Sequence, residues 1–365
     1  MISKQNNNMG DLRILFISHT YPPIVGGVEN QNYELYTWLS KITEVKLVAN
    51  KKRWLIPFFL PYVSVKTLFL AKNYDVVLLG SCILGNVSWL MKKLSKKPII
   101  AVAHGLDLTW KNKIYQKIWV DIFIPSLDKI IAVGNETVQV AIKKGIKPEK
   151  IVFIPNGVST DKKTKKFTRE DLEKALDEKL EGKKIILTSG RLAKRKGVAW
   201  FIENVLPKLP ENIVYIVAGN GPDKNNIRET INKNNLSSRV KMLGYVSNEI
   251  RDMLFSTCDL FVQPNIKVPG DMEGFGISVI EAALNRLPVI AAAIEGLKDA
   301  IKDGENGFLV ESGNAEAWKG KIEEILSDDE ARKAFGQKAR QFVIENYSWE
   351  KISRNYLEEI TKLIK

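Results

Sequence analysis

Short apolar segments alternate with amphipathic ones along the whole chain, and the alternation restarts once. Strands are predicted at Arg13–Ile17, Val45–Val48, Asp75–Leu79, Ile99–Ala103, Lys129–Val133 and Ile151–Ile154, with helices such as Asn30–Leu39, Asn86–Leu94 and Glu136–Lys144 between them. Pro155-Asn156-Gly157 closes this series, and the charged stretch Thr160–Lys166 reads as connecting chain. A second series follows at Lys184–Thr188, Val214–Ala218, Val240–Leu243, Leu260–Gln263, Val289–Ala291 and Gly307–Val310. Strand and helix in strict alternation imply parallel sheets with helices on both faces. Two doubly wound α/β domains follow, within the capacity of a chain of 365 residues. The expected boundaries are residues 1–162 for the first domain and 163–345 for the second, with the helix 346–365 crossing back onto the first. Ser348-Trp349-Glu350 is the capping sequence that restarts that last helix.

In open parallel sheets, ligands gather outside the carboxyl ends of the strands. The residues there are distinctive. Glu273-Gly274-Phe275-Gly276-Ile277 leads through an apolar stretch to Glu281. Its two glycines leave backbone N–H groups uncovered where a helix begins, a seat for a phosphate. Eight residues at ~100° each return Glu281 roughly to the side of Glu273. Both carboxylates are read as acceptors for hydroxyl groups, since an anion would repel a phosphate. A phosphate flanked by hydroxyls describes a nucleotide sugar.

Gly190-Arg191-Leu-Ala-Lys194-Arg195-Lys196-Gly197 occupies the loop after the first strand of the second series. Arg191 and Lys196 are the candidates for neutralising a diphosphate, whereas Lys194 and Arg195 are read as solvated. Gly219-Asn220-Gly221-Pro222 is a turn at the next strand end, near enough in the topology to approach a base or phosphate. In the first series, Gly26-Gly27-Val28-Glu29 opens a helix, while His19 and His104 each follow a strand. Two domains facing each other across a cleft would bring such ends together, which suits a reaction joining two substrates.

Other chemistries lack their signatures. There is no Gly-x-Ser-x-Gly elbow and no phosphate loop ending in Gly-Lys-Ser/Thr. The two histidines and two cysteines form no local ligand motif, so no metal is expected. Cys82 and Cys258 have no CxxC partner and are expected as reduced thiols in a cytoplasmic protein. No secretory leader is read in residues 1–11.

Residues 1–166 carry 25 Lys and Arg against 11 Asp and Glu, whereas 167–365 carry 30 against 31. A basic first half suggests an anionic partner such as a membrane surface or phosphorylated acceptor; no nucleic-acid partner is expected. Within it, Lys51-Lys52-Arg53 precedes the uncharged run Trp54–Val65, containing Pro57 and Pro61. That run is too short to span a bilayer, and its prolines are expected to break it. It is read either as lying in the membrane interface or as packing within the domain.

Taken in order, Gly26-Gly27-Val28-Glu29, His104-Gly105, Pro155-Asn156-Gly157-Val158, Gly190-Arg191 with Lys196-Gly197, Gly219-Asn220-Gly221-Pro222, Glu273 to Glu281 and Asp303-Gly304-Glu305-Asn306-Gly307 resemble the retaining glycosyltransferases of family 4. The resemblance covers nearly the whole chain and implies the GT-B fold: two Rossmann-like domains, the first for the acceptor and the second for the donor. It implies that Arg191 and Lys196 hold the donor diphosphate and that Glu281 binds the ribose. Glu273 and the backbone of Gly274, Phe275, Gly276 and Ile277 would position sugar and phosphate, with Gly190, Gly219 and Asn220 beside them. Gly27 would approach the phosphate, His104 the transferred sugar, and the Tyr245-Val246 loop the base. It further implies retention by front-face displacement, with no residue assigned as nucleophile, no cofactor and no metal. The donor would be a GDP- or UDP-linked hexose, with mannose placed first and glucose or N-acetylglucosamine next. The acceptor would be a lipid or polysaccharide, at the inner face of the cytoplasmic membrane. A GT-B epimerase or phosphorylase and a non-catalytic sugar-nucleotide binder stand as alternatives.

Overall fold

The computed structural model describes residues 12–160, 165 and 167–364. The expected absence of a leader in residues 1–11, and most of the connecting stretch 160–166, lie outside them. The chain divides into two compact units, one of residues up to Ser159 with Ser348 onward, the other Thr160–Tyr347.

The first unit holds one parallel sheet. Its strands are β1 (Arg13–Ser18), β2 (Glu44–Ala49), β3 (Val76–Leu79), β4 (Ile99–Ala103), β5 (Lys129–Ala132) and β6 (Ile151–Phe153), in the order β2-β1-β3-β4-β5-β6. Period-two alternation separates two cores. Leu15, Ile17, Val77, Leu79, Ile99 and Ala101 face one side, and Ile14, Phe16, Val76, Leu78, Ile100 and Val102 face the other. Apolar residues on both pleat faces require cover on both. On the first side lie α2 (Ile56–Leu70) and α3 (Gly85–Leu94), through Val63, Val87 and Met91. On the second lie α1 (Gly27–Leu39) and the C-terminal helix Trp349–Ile364, through Leu35, Trp38, Trp349, Ile352, Tyr356 and Ile360.

The chain leaves this unit and returns to it at one spot. Val158 pairs with Ser348 in a parallel bridge, and the Trp349 amide donates to Val158 O at 3.2 Å. Gly157 lies flat against the Trp349 ring, where a Cβ would come within 2.7 Å.

The second unit has β7 (Lys184–Ser189), β8 (Ile213–Ala218), β9 (Val240–Gly244), β10 (Leu260–Gln263), β11 (Val289–Ala292) and β12 (Phe308–Val310), in the order β12-β11-β10-β7-β8-β9. Counted from its own first strand this is 3-2-1-4-5-6, the dinucleotide-fold order. All strand pairs in both sheets are parallel.

One expectation needs correcting. Pro57 and Pro61 do not break the run after Arg53: the helix continues through Pro61 to Leu70. Pro57 sits in the first turn, where its missing N–H costs nothing. Pro61 lies on the exposed side, where the carbonyl it leaves unpaired is open to solvent.

Candidate functional site

Strand order decides which loops meet. In the second sheet the direction of winding reverses between β7 and β10, so the loops after these strands are neighbours. Gly197 makes their contact possible. Its φ is +66°, and a Cβ there would fall 1.8 Å from Pro264 O. The short helical turn Lys194–Lys196 precedes it. Successive residues there are about 120° apart, which leaves Lys194 exposed and turns Lys196 inward.

Lys196 Nζ lies 2.5 Å from Glu273 Oε2, and Arg195 reaches the same oxygen at 3.0 Å. Asn265 Nδ2 donates to it at 3.2 Å. Behind Asn265, Gln263 Nε2 donates to Asn265 Oδ1 at 2.8 Å, and Ser278 Oγ to Gln263 Oε1 at 3.1 Å. The Glu273 amide is held by Glu295 Oε2 at 2.6 Å, and its carbonyl accepts from the Gly296 amide at 3.1 Å. Gln263, Asn265, Lys196 and Glu273 are all buried. Burial would raise the Glu273 carboxyl; Lys196 and Arg195 outweigh it and hold the group at about 2. Burial lowers Lys196 from its usual range, and Glu273 opposes that shift.

Two sequence readings change here. Arg195 is not a solvated cation: it bridges Glu273 and Asp271, the latter at 3.0 Å. Charge-run composition gives no hint of this, whereas the alternate carboxylates Asp271 and Glu273 do. Nor is Glu281 carried back by eight helical residues. The helix begins only at Ile277, after Gly276 at φ +93°, so the run from Glu273 to Gly276 contributes no regular rotation. Glu281 is partly exposed, with Arg251 at 3.8 Å. Gln263, Asn265 and Glu295 were not among the expected residues. A polar residue ending an apolar strand, as Gln263 does, is the signal that points to them.

The other expected positions are distributed around this cluster. Gly190 and Gly219 touch, a Cβ on Gly219 falling 1.8 Å from Gly190 O. Arg191 and Asn220 are exposed, and Asn220 Oδ1 accepts from the Gly221 amide at 2.9 Å. Phe275 is buried and stacks edge-on to Tyr347 at 5.7 Å, so only its backbone is available to a ligand. The helix Ile277–Leu284 starts without a side-chain cap, leaving first-turn amides for an anion. Val246 is half-buried beside exposed Tyr245, just after β9.

In the first sheet the reversal lies between β1 and β3. His19, after β1, is buried, and its Nδ1 has no hydrogen-bond partner among the described residues. Burial, and to a lesser degree His104, lower its pKa to about 4 against the opposing pull of Asp107 and Glu29. His104 Nε2 lies 2.9 Å from Gly80 O, after β3. Asp107 accepts from Ser81 Oγ and the Cys82 amide, both at 3.0 Å. Thr20 Oγ1 donates to Glu29 Oε1 at 2.6 Å. Gly26 makes room for the Glu29 carboxylate, while nothing crowds Gly27. Among the described residues, no three His, Cys, Asp or Glu converge as a metal site would require.

The second unit matches the model of glycosyl transferases group 1 over residues 169–342, and the first matches glycosyltransferase family 4 over 24–162. An uncharacterized glycosyltransferase of Methanocaldococcus jannaschii is 31% identical over 268 residues, 73% of this chain and 69% of the relative. The chain belongs to the group 1 glycosyl transferases.

A second uncharacterized glycosyltransferase of that organism is 25% identical over 400 residues, 98% of this glycosyltransferase and 100% of the relative. The UDP-Gal:α-D-GlcNAc-diphosphoundecaprenol α-1,3-galactosyltransferase of Escherichia coli is 25% identical over 301 residues, 78% of this chain and 75% of its own. Among solved structures, Anabaena HepE in complex with UDP matches with a TM-score of 0.77 at 18% identity, over 96% of this chain and 100% of that one. Sucrose-phosphate synthase of Thermosynechococcus elongatus matches at 0.76 and 19%, over 96% and 99%. The glycosyltransferase therefore has the GT-B fold, with two Rossmann-like domains.

Proposed function

We propose that this glycosyltransferase moves a hexose, with retention, from a nucleoside-diphosphate sugar to a lipid-linked or polysaccharide acceptor. The observation that carries the reading is the buried Lys196–Glu273 pair, with Arg195 on the same oxygen, at the β7–β10 reversal. A lysine held near a carboxylate beside uncapped helix amides is prepared for a diphosphate. When the donor arrives, Lys196 and exposed Arg191 face its charge, and stabilise it most as the nucleotide departs.

Glu273 and the backbone from Gly274 to Ile277 are assigned to the transferred sugar and its phosphate, Glu281 to ribose hydroxyls, and Val246 to the base. Gly27 is assigned to the phosphate and His104 to the sugar. With Glu273 committed to two cations, no nucleophile is assigned: the departing phosphate takes the acceptor proton as the new bond forms on the same face.

The Escherichia coli relative takes UDP-Gal and Anabaena HepE is seen with UDP, which puts UDP-linked glucose, galactose or N-acetylglucosamine ahead of GDP-mannose. The diphosphoundecaprenol acceptor of the Escherichia coli relative favours a lipid-linked acceptor. Free Cys82 and Cys258 support assignment to the cytoplasm.

Thermal unfolding in UDP, GDP and their sugars tests the donor, since a ligand stabilises by the logarithm of its concentration over its Kd. A shift with UDP sugars is expected; no shift with any nucleotide would overturn the reading. Donor turnover with Lys196→Ala should fall by about 10²–10³-fold, and an unchanged rate would remove its assigned role.

A further inference from the structure

The helix after Arg53 is apolar all round, yet only one side of it is covered. Val63, Ser64 and Thr67 are buried, and Phe59, Leu60, Leu68 and Leu70 pack against the same core. Asn86 of α3 ties this side down, donating to Leu60 O at 3.1 Å and to Ser64 Oγ at 2.8 Å. The opposite side carries Trp54, Phe58, Tyr62, Val65 and Phe69, each more than half exposed. At ~100° per residue Phe58, Tyr62, Val65 and Phe69 fall within about 60° of arc, and Trp54 stands in the short helical turn just before them. A stripe of five large side chains, three of them Trp or Phe, is more than scattered surface apolarity.

The surroundings are basic. Between residues 51 and 97 stand nine Lys and Arg and one acid, Asp75, and that acid is already bonded to Arg13. Lys51, Lys52 and Arg53 are exposed at the start of the stripe and Lys72 just beyond its end. Lys66 flanks it, its Nζ 2.8 Å from Tyr62 Oη. On neighbouring α3, Lys93 lies over the half-exposed Trp89 ring at 3.7 Å.

By length and composition alone, Arg53–Asn73 is sufficient to cross a bilayer. Crossing would strip Val63, Ser64, Thr67 and Ala71 from the core of the first sheet. We infer instead that α2 is an in-plane dock: its outer stripe enters the headgroup layer of an anionic bilayer while its inner face stays on the domain. Cations bordering an apolar face fit that partner, because lysines meet acidic headgroups as aromatic rings sink between acyl chains. A second copy of this chain fits poorly, since it would set one cationic border against another. The inference deepens the lipid-linked acceptor proposed above, yet the two fail separately.

Flotation of the full chain with phosphatidylglycerol/phosphatidylcholine vesicles, and with phosphatidylcholine alone, tests it. Binding to the anionic vesicles at low salt is expected, with weak binding to the neutral ones. Phe58→Glu with Phe69→Glu should weaken it by about tenfold or more per ring removed, and Lys51→Glu with Lys52→Glu should weaken only the anionic case. Unchanged unfolding midpoints and UDP-induced shifts in all variants would show that the fold and donor site persist. Three results overturn the dock: no flotation of the native chain, flotation unaffected by the Phe variants, or a dimer in sedimentation that those variants dissociate. Native flotation without transfer to any lipid-linked acceptor would overturn only the acceptor.

Discussion

The two places where the sheets reverse direction differ in their electrostatics. In the second unit, full charges meet: buried Lys196 and partly buried Arg195 each lie within 3.0 Å of buried Glu273. In the first, the buried His19 is held neutral, Asp107 is anchored by hydroxyl and amide donors, and Glu29 has Thr20 and the more distant Arg53 at 3.6 Å. The second site offers cations held on one carboxylate, and the first a neutral imidazole beside two carboxylates. One fold, used twice in one chain, supports both because the reversal fixes which loops meet and leaves their chemistry open.

Breaking the ionic cluster should have the largest effect. Glu273→Ala leaves Lys196 buried without its counter-charge, and a loss of about 3–5 kcal/mol in denaturant unfolding is expected. Glu273→Ala with Lys196→Met should recover much of that stability while staying inactive, which separates folding from catalysis. A double variant as unstable as the single one would mean that the pair is not coupled.

Acid sharpens the comparison, because the two regions respond in different windows. His19 has a folded pKa of about 4, below its ordinary 6.5. As pH falls through 6.5 the unfolded chain gains a proton that the folded one refuses, so stability drops between 6.5 and 4. Glu273 is held at about 2 instead of 4.5. The unfolded carboxyl is again protonated first, so its contribution is present above 4.5 and lost between 4.5 and 2. Each window amounts to roughly 3 kcal/mol. His19→Asn should flatten the first and leave the second; urea midpoints measured from pH 7 to pH 2 check this.

The smallest effect expected is Ser278→Ala, which removes the outer donor of the Gln263–Asn265 relay and should cost about 1 kcal/mol. Were it to lower turnover far more than stability, the relay would be positioning Glu273 for the reaction.

The strands were legible because each is a short, nearly continuous apolar run between turn residues; all twelve appear within two residues of the expected ends. Their spatial order was not, since crossovers of similar length serve neighbouring and distant strands alike. That gap is why Lys196 and Glu273 were singled out separately while Arg195 and Asn265 were passed over. A side chain's burial in a loop depends on which other loop lies over it, and Gly197 settles that through a contact 67 residues further along the chain. Helix α2 was obscured differently: proline is read as a breaker, yet in a first turn or on a wet face it is tolerated.

The pairing of Val158 with Ser348, with Gly157 against Trp349, has a consequence for the order of events at the ribosome. The first unit is interrupted by the entire second unit, so its Ile14/Phe16 core face waits for Trp349, Ile352 and Tyr356. The half synthesised first is thus the half finished last. Until residues past 348 emerge, α1 alone covers that face of the nascent chain's sheet, which makes it a natural client for chaperones. A stop codon near 345 would leave the ionic cluster encoded in full and the protein stranded with that face half covered.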